Sequence, residues 1–139
     1  MPRYEWDPAL ETGYALIDDQ HRQLFALANA LHETDSGCAP DAKVVGDAVY
    51  RLTDYVVEHF ADEEGLMAHF GYPGLGLHKM QHEQLTSSTL LLTARYFKGE
   101  DVSPCEIAEF LGDWLTKHIE AEDLRAIAFV RERIAEQSG

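Results

Sequence analysis

Between residues 45 and 66 the inward positions recur at alternating intervals of four and three: Val45, Val49, Leu52, Val56, His59, Glu63 and Leu66. That alternation keeps one stripe of an α-helix against its neighbours and does not suit a strand, whose side chains change face at every residue. Halfway along, the stripe changes character. Where leucine or valine belongs, it carries a histidine and then a glutamate. An apolar interior holds such groups cheaply only when each has a partner.

The same pattern, with the same interruption, recurs elsewhere. A first helix is expected over 18–36, capped by Asp18 and stopped by Gly37, with the stripe His21, Leu24, Phe25, Ala28, Leu31. The second opens at Pro40-Asp41 and ends near Phe70, before Gly71-Tyr72-Pro73-Gly74. The third starts near Leu75–Leu77 and stops at Lys98-Gly99, with the stripe His78, His82, Leu85, Thr89, Leu92, Tyr96. The fourth has the clearest start, Ser103-Pro104-Cys105-Glu106, in which an N-cap serine, a proline at the first position and a glutamate at the third form a capping box. Its stripe is Ile107, Phe110, Leu111, Trp114, His118. A last amphipathic segment, about 123–136, carries Leu124, Ile127, Ala128, Val130 and Ile134.

Short connections imply antiparallel neighbours, so the expected fold is all-α: an up-down-up-down four-helix bundle (18–120), with an irregular N-terminal arm (1–17) and a short C-terminal helix within 121–139. Trp6, Tyr14 and Ile17 pin the arm to the bundle. The 139 residues make one domain by length. This topology brings together the start of the first helix, the end of the second, the start of the third and the end of the fourth. His21, His59, Glu63, His78, His82, His118 and Asp123 all fall at that end.

Taken singly, these motifs are weak. One His-x-x-x-Glu is ordinarily a helical ion pair, a lone His21 or His118 a satisfied histidine, and a lone Asp123 a cap. Together they agree in helix phase and in depth. Seven N and O donors exceed the four of a zinc site and suit two bridged octahedral metals. So histidine-rich a set carries less negative charge than a glutamate-rich one and favours the reduced, divalent state. His32 and His69 read as surface residues. Glu64, Glu83, Glu120 and Glu122 read as solvated, with Glu64 the one able to support a ligand.

The formal net charge of −14 argues against nucleic acid and anionic membrane as partners, since both need a basic surface. No run of 18 apolar residues predicts a membrane span, and the first residues lack the features of a signal peptide, so a cytoplasmic protein is expected. Cys38 and Cys105 have no metal-binding spacing and read as free thiols at the bundle end opposite the histidines. A redox-linked disulfide between them is the one further idea they raise.

At this point the chain resembles the hemerythrin family, in its single-domain bacterial form. The resemblance rests on Trp6-Asp7, Thr12-Gly13, Ile17-Asp18, Gln20-His21, Leu24 and Asn29, on His59-Phe60 through Glu63-Glu64 and Met67, on Tyr72-Pro73, His78 and His82, and on Trp114-Leu115, His118-Ile119 and Asp123. One departure is Leu85, in place of an expected Phe, which should touch packing only. The resemblance implies a non-haem di-iron centre with an oxo or hydroxo bridge that binds dioxygen reversibly. His78, His82 and His118 would hold one iron, and His21 and His59 the other, which keeps an open position. Glu63 and Asp123 would bridge the two. Leu24, Phe60, Trp114, Leu115 and Ile119 flank ligands and would line a dry oxygen pocket.

The expected function is therefore an oxygen carrier, store or scavenger. A sensor of oxygen, nitric oxide or redox state acting on a partner is the alternative. An enzyme ranks last, because no acid–base group beyond the ligands stands in the pocket. An oxygen-consuming or signalling protein is the expected partner class.

Overall fold

In the computed structural model, which describes residues 4–33 and 42–138, helices form where the 3–4 spacing of apolar residues predicts them. They are α1 (Ala15–Glu33), α2 (Ala42–His69), α3 (Leu75–Phe97), α4 (Pro104–His118) and α5 (Leu124–Ser138). A short 3₁₀ turn, Pro8–Leu10, precedes them. The principal contacts run α1–α2, α2–α3, α3–α4 and α4–α1, a four-cornered bundle. Its sense is antiparallel: Gly46, near the start of α2, lies against the ring of Phe97 at the end of α3. Among the described residues no helix is long and apolar enough to cross a membrane.

The two described inter-helix loops are set by glycine. Gly71 and Gly99 have φ of +72° and +80°, a region that an L side chain resists. In each case the helix end closes with paired reverse hydrogen bonds. Gly71 N–H donates to Ala68 O and Tyr72 N–H to Met67 O; Gly99 N–H donates to Tyr96 O and Glu100 N–H to Arg95 O. The chain reverses within a few residues, so the end of α2 and the start of α3 meet. At the start of α4, Ser103 Oγ accepts from Glu106 N–H at 3.1 Å, the expected cap.

Leu24, Leu31, Val45, Leu52, Ile107 and Leu111 belong to one hydrophobic core, all buried. Leu85 is buried there too, 1% exposed, so the departure from phenylalanine is absorbed by packing. The stripes hold, with three corrections. Asp18 does not cap α1, which begins at Ala15. Its carboxylate instead reaches back from the first turn, accepting from Thr12 N–H, Thr12 Oγ–H and Gly13 N–H at 2.8, 2.7 and 3.1 Å. After Glu63 the α2 stripe continues at Met67, fully buried, rather than at Leu66. In α5 the inward residues are Ala126, Ile127 and Val130, whereas Ala128 is exposed.

The largest departure concerns the end of α4. No break separates it from the C-terminal helix. Residues Ile119–Asp123 continue the rod as a π turn, in which Leu124 N–H donates to Ile119 O, five residues back. α5 follows directly and packs on α2. Its Phe129 meets Tyr72 at 5.4 Å between ring centroids, and Arg131 reaches Thr12 O at 3.4 Å.

The arm is tied down by Tyr4 as well as by Trp6. Tyr4 N–H donates to Asn29 Oδ1 and Asn29 Nδ2 donates to Tyr4 O, both at 2.7 Å. The Tyr4 ring covers Gly112, so closely that a Cβ there would overlap it. Gly112→Val is therefore expected to expel the Tyr4 ring and lower stability by about 2 kcal/mol. Chemical denaturation checks this, and an unchanged midpoint would show that the arm contributes nothing.

Candidate metal centre

Helix phase brings His21 from α1, His59 and Glu63 from α2, and His78 and His82 from α3 to one depth of the bundle, all buried. His118 ends α4 and Asp123 ends the π turn. Five residues along an α-helix turn the chain by about 500°, leaving a side chain some 140° off the starting face. The wider π turn cancels that offset and brings Asp123 Oδ1 to 3.0 Å from His118 Nε2. The spacing of five between these residues works only because the helix is locally overfilled.

The two carboxylates divide their oxygens. Glu63 Oε1 lies 2.8 Å from His78 Nε2 and 3.3 Å from His82 Nε2. Glu63 Oε2 lies 3.4 Å from His59 Nε2 and 3.6 Å from His21 Nε2. Asp123 Oδ1 lies 2.9 Å from His78 Nε2, and Asp123 Oδ2 lies 3.0 Å from His21 Nε2. Two overlapping donor groups result. One contains Glu63, His78, His82, His118 and Asp123; the other contains His21, His59, Glu63 and Asp123. Both carboxylates belong to both, one oxygen turned to each.

The residues fit metal ions better than they fit one another. Both ring nitrogens of His21, Glu63 Oε2 and Asp123 Oδ1 are buried without a hydrogen-bond partner. A buried orphan ordinarily costs about 1–3 kcal/mol, and here His21 Nε2, Glu63 Oε2 and Asp123 Oδ1 face a shared centre. His118 Nε2 stands 3.0 Å from His78 Nε2 and 3.1 Å from His82 Nε2. Adjacent donors of an octahedral ion with bonds near 2.1 Å are roughly 3.0 Å apart, against about 3.4 Å for a tetrahedral one.

Two ligand rings are held by residues beside them. His59 Nδ1 is 2.7 Å from Gln20 Oε1, and Gln20 Nε2 donates to Asp62 Oδ2 at 2.7 Å, which fixes the amide so that Oε1 accepts. His82 Nδ1–H donates to Glu64 Oε2 at 2.7 Å. With the proton on Nδ1, each ring turns its Nε2 lone pair inward. Glu64 is thus the support its position suggested. Gln20 and Asp62 were legible only as neighbours of ligands, and the signal was a glutamine on an inward face of α1.

Electrostatics answer to the same geometry. Burial presses the pKa of His21 and of His78 down, but Asp123 and Glu63 outweigh it and raise each to about 9. Burial would raise Glu63, yet His21, His59, His78 and His82 hold it well below the ordinary carboxylate value. For Asp123, burial and the charge of Glu63 push upward, and His118, His21 and His78 bring the net below normal. Without metal, protons on the histidines balance the buried carboxylates.

Of the expected pocket residues, Leu24, Phe60, Leu115 and Ile119 are buried and Trp114 is half-buried. Phe60 stacks on His82, with centroids 3.7 Å apart and planes 1° apart; Trp114 stacks on His118 at 4.3 Å and 18°. Both aromatic rings therefore cover the three-histidine group. His69 is exposed as expected. His32 is not a free surface residue: it is half-buried beside Glu109. Cys105 lies at the opposite end of the bundle, and Cys38 lies outside the described residues, as does any pairing of the two.

Residues 12–130 match the hemerythrin HHE cation binding domain family. A bacteriohemerythrin of Pseudomonas paraeruginosa is 32% identical over 136 residues, covering 98% of this chain and 87% of that one. A bacteriohemerythrin of Stenotrophomonas maltophilia is 36% identical over 118 residues, covering 85% and 75%. A wild-type hemerythrin crystal structure superposes with a TM-score of 0.84 at 30% identity, covering 92% of this chain and 98% of that chain. The chain carries a buried cluster of histidines and carboxylates able to hold metal, and it belongs to the hemerythrin family of cation-binding domains.

Proposed function

We propose that the protein binds dioxygen reversibly at a di-iron centre, as a carrier, store or scavenger. In this reading His78, His82 and His118 would hold one iron and His21 and His59 the other, with Glu63 and Asp123 contributing an oxygen to each. The observation that carries it is the inequality of the two donor groups: five protein donors on one side and four on the other, sharing both carboxylates. The poorer side has room for an exogenous ligand. The iron pair would supply two electrons, one from each ion, to a bound oxygen molecule.

The chain's own residues do the rest. Gln20 and Glu64 hold His59 and His82 in the tautomer that presents Nε2. Leu24, Leu115 and Ile119, all buried, and the stacked Phe60 and Trp114 line the proposed oxygen pocket and keep water from the ligands. A dry surround slows proton delivery and so slows irreversible oxidation. A cytoplasmic location and an oxygen-consuming partner belong to the same reading.

The test is spectroscopic. The iron-loaded protein should hold two irons per chain and develop, in air, an absorption band that vanishes under vacuum and returns with air. A one-way oxidation, or continuous consumption of oxygen, would overturn the proposal. Gln20→Leu should weaken the ion on the His21–His59 side by about 10–100-fold, since His59 loses the acceptor that sets its tautomer. Stepwise metal titration reads this, and equal weakening of both ions would contradict the assignment.

A further inference from the structure

At the bundle end remote from the seven ligands, three unlike donors converge from two helices that are not consecutive in the chain. His32 stands in the last turn of α1, Cys105 in the first turn of α4, and Glu109 one turn further along α4. His32 Nε2 is 3.7 Å from Glu109 Oε1, and Cys105 Sγ is 3.6 Å from the same oxygen. One donor atom from each of the three lies within 4.8 Å of the others. His32 is eleven residues beyond His21, about 16 Å along α1, so this group is separate from the seven-residue centre.

We propose that His32, Cys105 and Glu109 form a second metal site, for a single tetrahedral zinc-class divalent ion, with solvent as fourth ligand. The spacing is the first argument. With bonds of about 2.0–2.1 Å to nitrogen and oxygen and about 2.3 Å to sulfur, the edges of a tetrahedral site are about 3.4–3.6 Å. The two separations to Glu109 Oε1, 3.7 and 3.6 Å, lie close to that figure, whereas the shorter ones of the seven-residue centre, 3.0 and 3.1 Å between histidine nitrogens, match octahedral edges.

Donor chemistry is the second argument. A thiolate with an imidazole and a carboxylate selects zinc or cobalt over calcium and magnesium, which prefer oxygen alone. Cys105 lies in the first turn of α4, where the helix N-terminus favours the thiolate. Cys105 and Glu109 are four residues apart and share a face of α4. Access is the third. The side chains of His32 and Glu109 are 29% and 41% exposed, so an ion can enter without unfolding the bundle. Once bound, it would cross-link the end of α1 to the start of α4.

The experiment uses the 139-residue chain carrying Cys38→Ser, which leaves Cys105 as the single thiol of the sequence, with the seven-residue centre loaded beforehand with iron. Cobalt(II) is titrated in, and the thiolate-to-cobalt charge-transfer band is followed in the near ultraviolet. One equivalent should produce the band, and zinc should displace it. Cys105→Ser should abolish it, and His32→Ala should weaken cobalt at least tenfold with helical content unchanged. Zinc should also raise the melting temperature of the Cys38→Ser protein but not of the doubly substituted one. Absence of a thiolate band at one equivalent would overturn the proposal, as would a band of unchanged affinity in His32→Ala. The seven-residue centre contains no sulfur and so cannot mimic the band, and its prior loading with iron keeps it from taking up the added cobalt or zinc.

Discussion

Glu63→Gln should reduce the metal content from two ions per chain to one or none, with an affinity loss of more than about 100-fold on the His21–His59 side. Glu63 is fully buried and faces all four histidines of α1, α2 and α3 in the centre, at 2.8 to 3.6 Å. It supplies one of only four donors to the poorer group, so that ion has the least to spare. Glutamine keeps the volume but removes the charge, and its amide nitrogen cannot ligate as a carboxylate oxygen does. The useful comparison is Glu64→Gln. That change touches only the hydrogen bond to His82 Nδ1 and should weaken one ion by about 10–100-fold while two ions still bind at high concentration. Elemental analysis after exhaustive dialysis separates the two variants. Retention of two ions at parental affinity by Glu63→Gln would remove the carboxylate bridge from the proposal.

The second large effect is a reversal of pH dependence between the metal-free and metal-loaded protein. His21 and His78 have pKa values raised to about 9 from an ordinary 6.5. A raised value means that the charged histidines stabilise the fold fully below pH 6.5 and that this contribution is lost as the pH rises through 9. For Glu63 and Asp123 the folded values are depressed, so their contribution is present above the ordinary carboxylate range and is lost only as the pH falls through their own lowered values. The metal-free protein should therefore be most stable at about pH 5–6.5 and weaken toward pH 9. The loss should be on the order of 3 kcal/mol in total, because both histidines draw on the same two carboxylates. For a domain of this size it corresponds to roughly 10 °C in melting temperature.

Metal reverses the slope, because ions and protons compete for the same Nε2 atoms. Loading at pH 7.5 should release about two protons per chain, one each from His21 and His78. Calorimetry in buffers of different ionisation enthalpy measures the number. No proton release, or a metal-free melting temperature that does not fall between pH 6.5 and 9, would show that these histidines are neutral before loading.

Much of this site was legible in the residues. An α-helix has a fixed rise and rotation, so the spacing of His59 and Glu63, or of His78 and His82, determines that each pair shares a face. Loop glycines and the Ser103 cap determine where helices end, and with that the depth at which the pairs meet. His21 follows from the same reasoning. Asp123 does not: its distance from His118 does not fit one face of an α-helix, and the segment after His118 reads as a separate short helix, whereas a π turn keeps the helix continuous. Such a turn is unfavourable locally and persists because α4 is packed on α1 and α3 while α5 is packed on α2, which no local spacing reveals. The early start of α1 has a similar origin, since Asp18 works on Thr12 and Gly13 behind it.

By itself, then, the sequence determined the helices, their inward faces and the depth shared by His21, His59, Glu63, His78, His82 and His118, because those follow from local periodicity. Only the tertiary structure decided which carboxylate oxygen turns to which histidine, that Gln20 and Glu64 orient two of the rings, and that His32 meets Cys105 and Glu109 at the far end. These are distances between separate helices. They depend on how far each helix is rotated and how closely it packs, and no spacing along one chain segment encodes them.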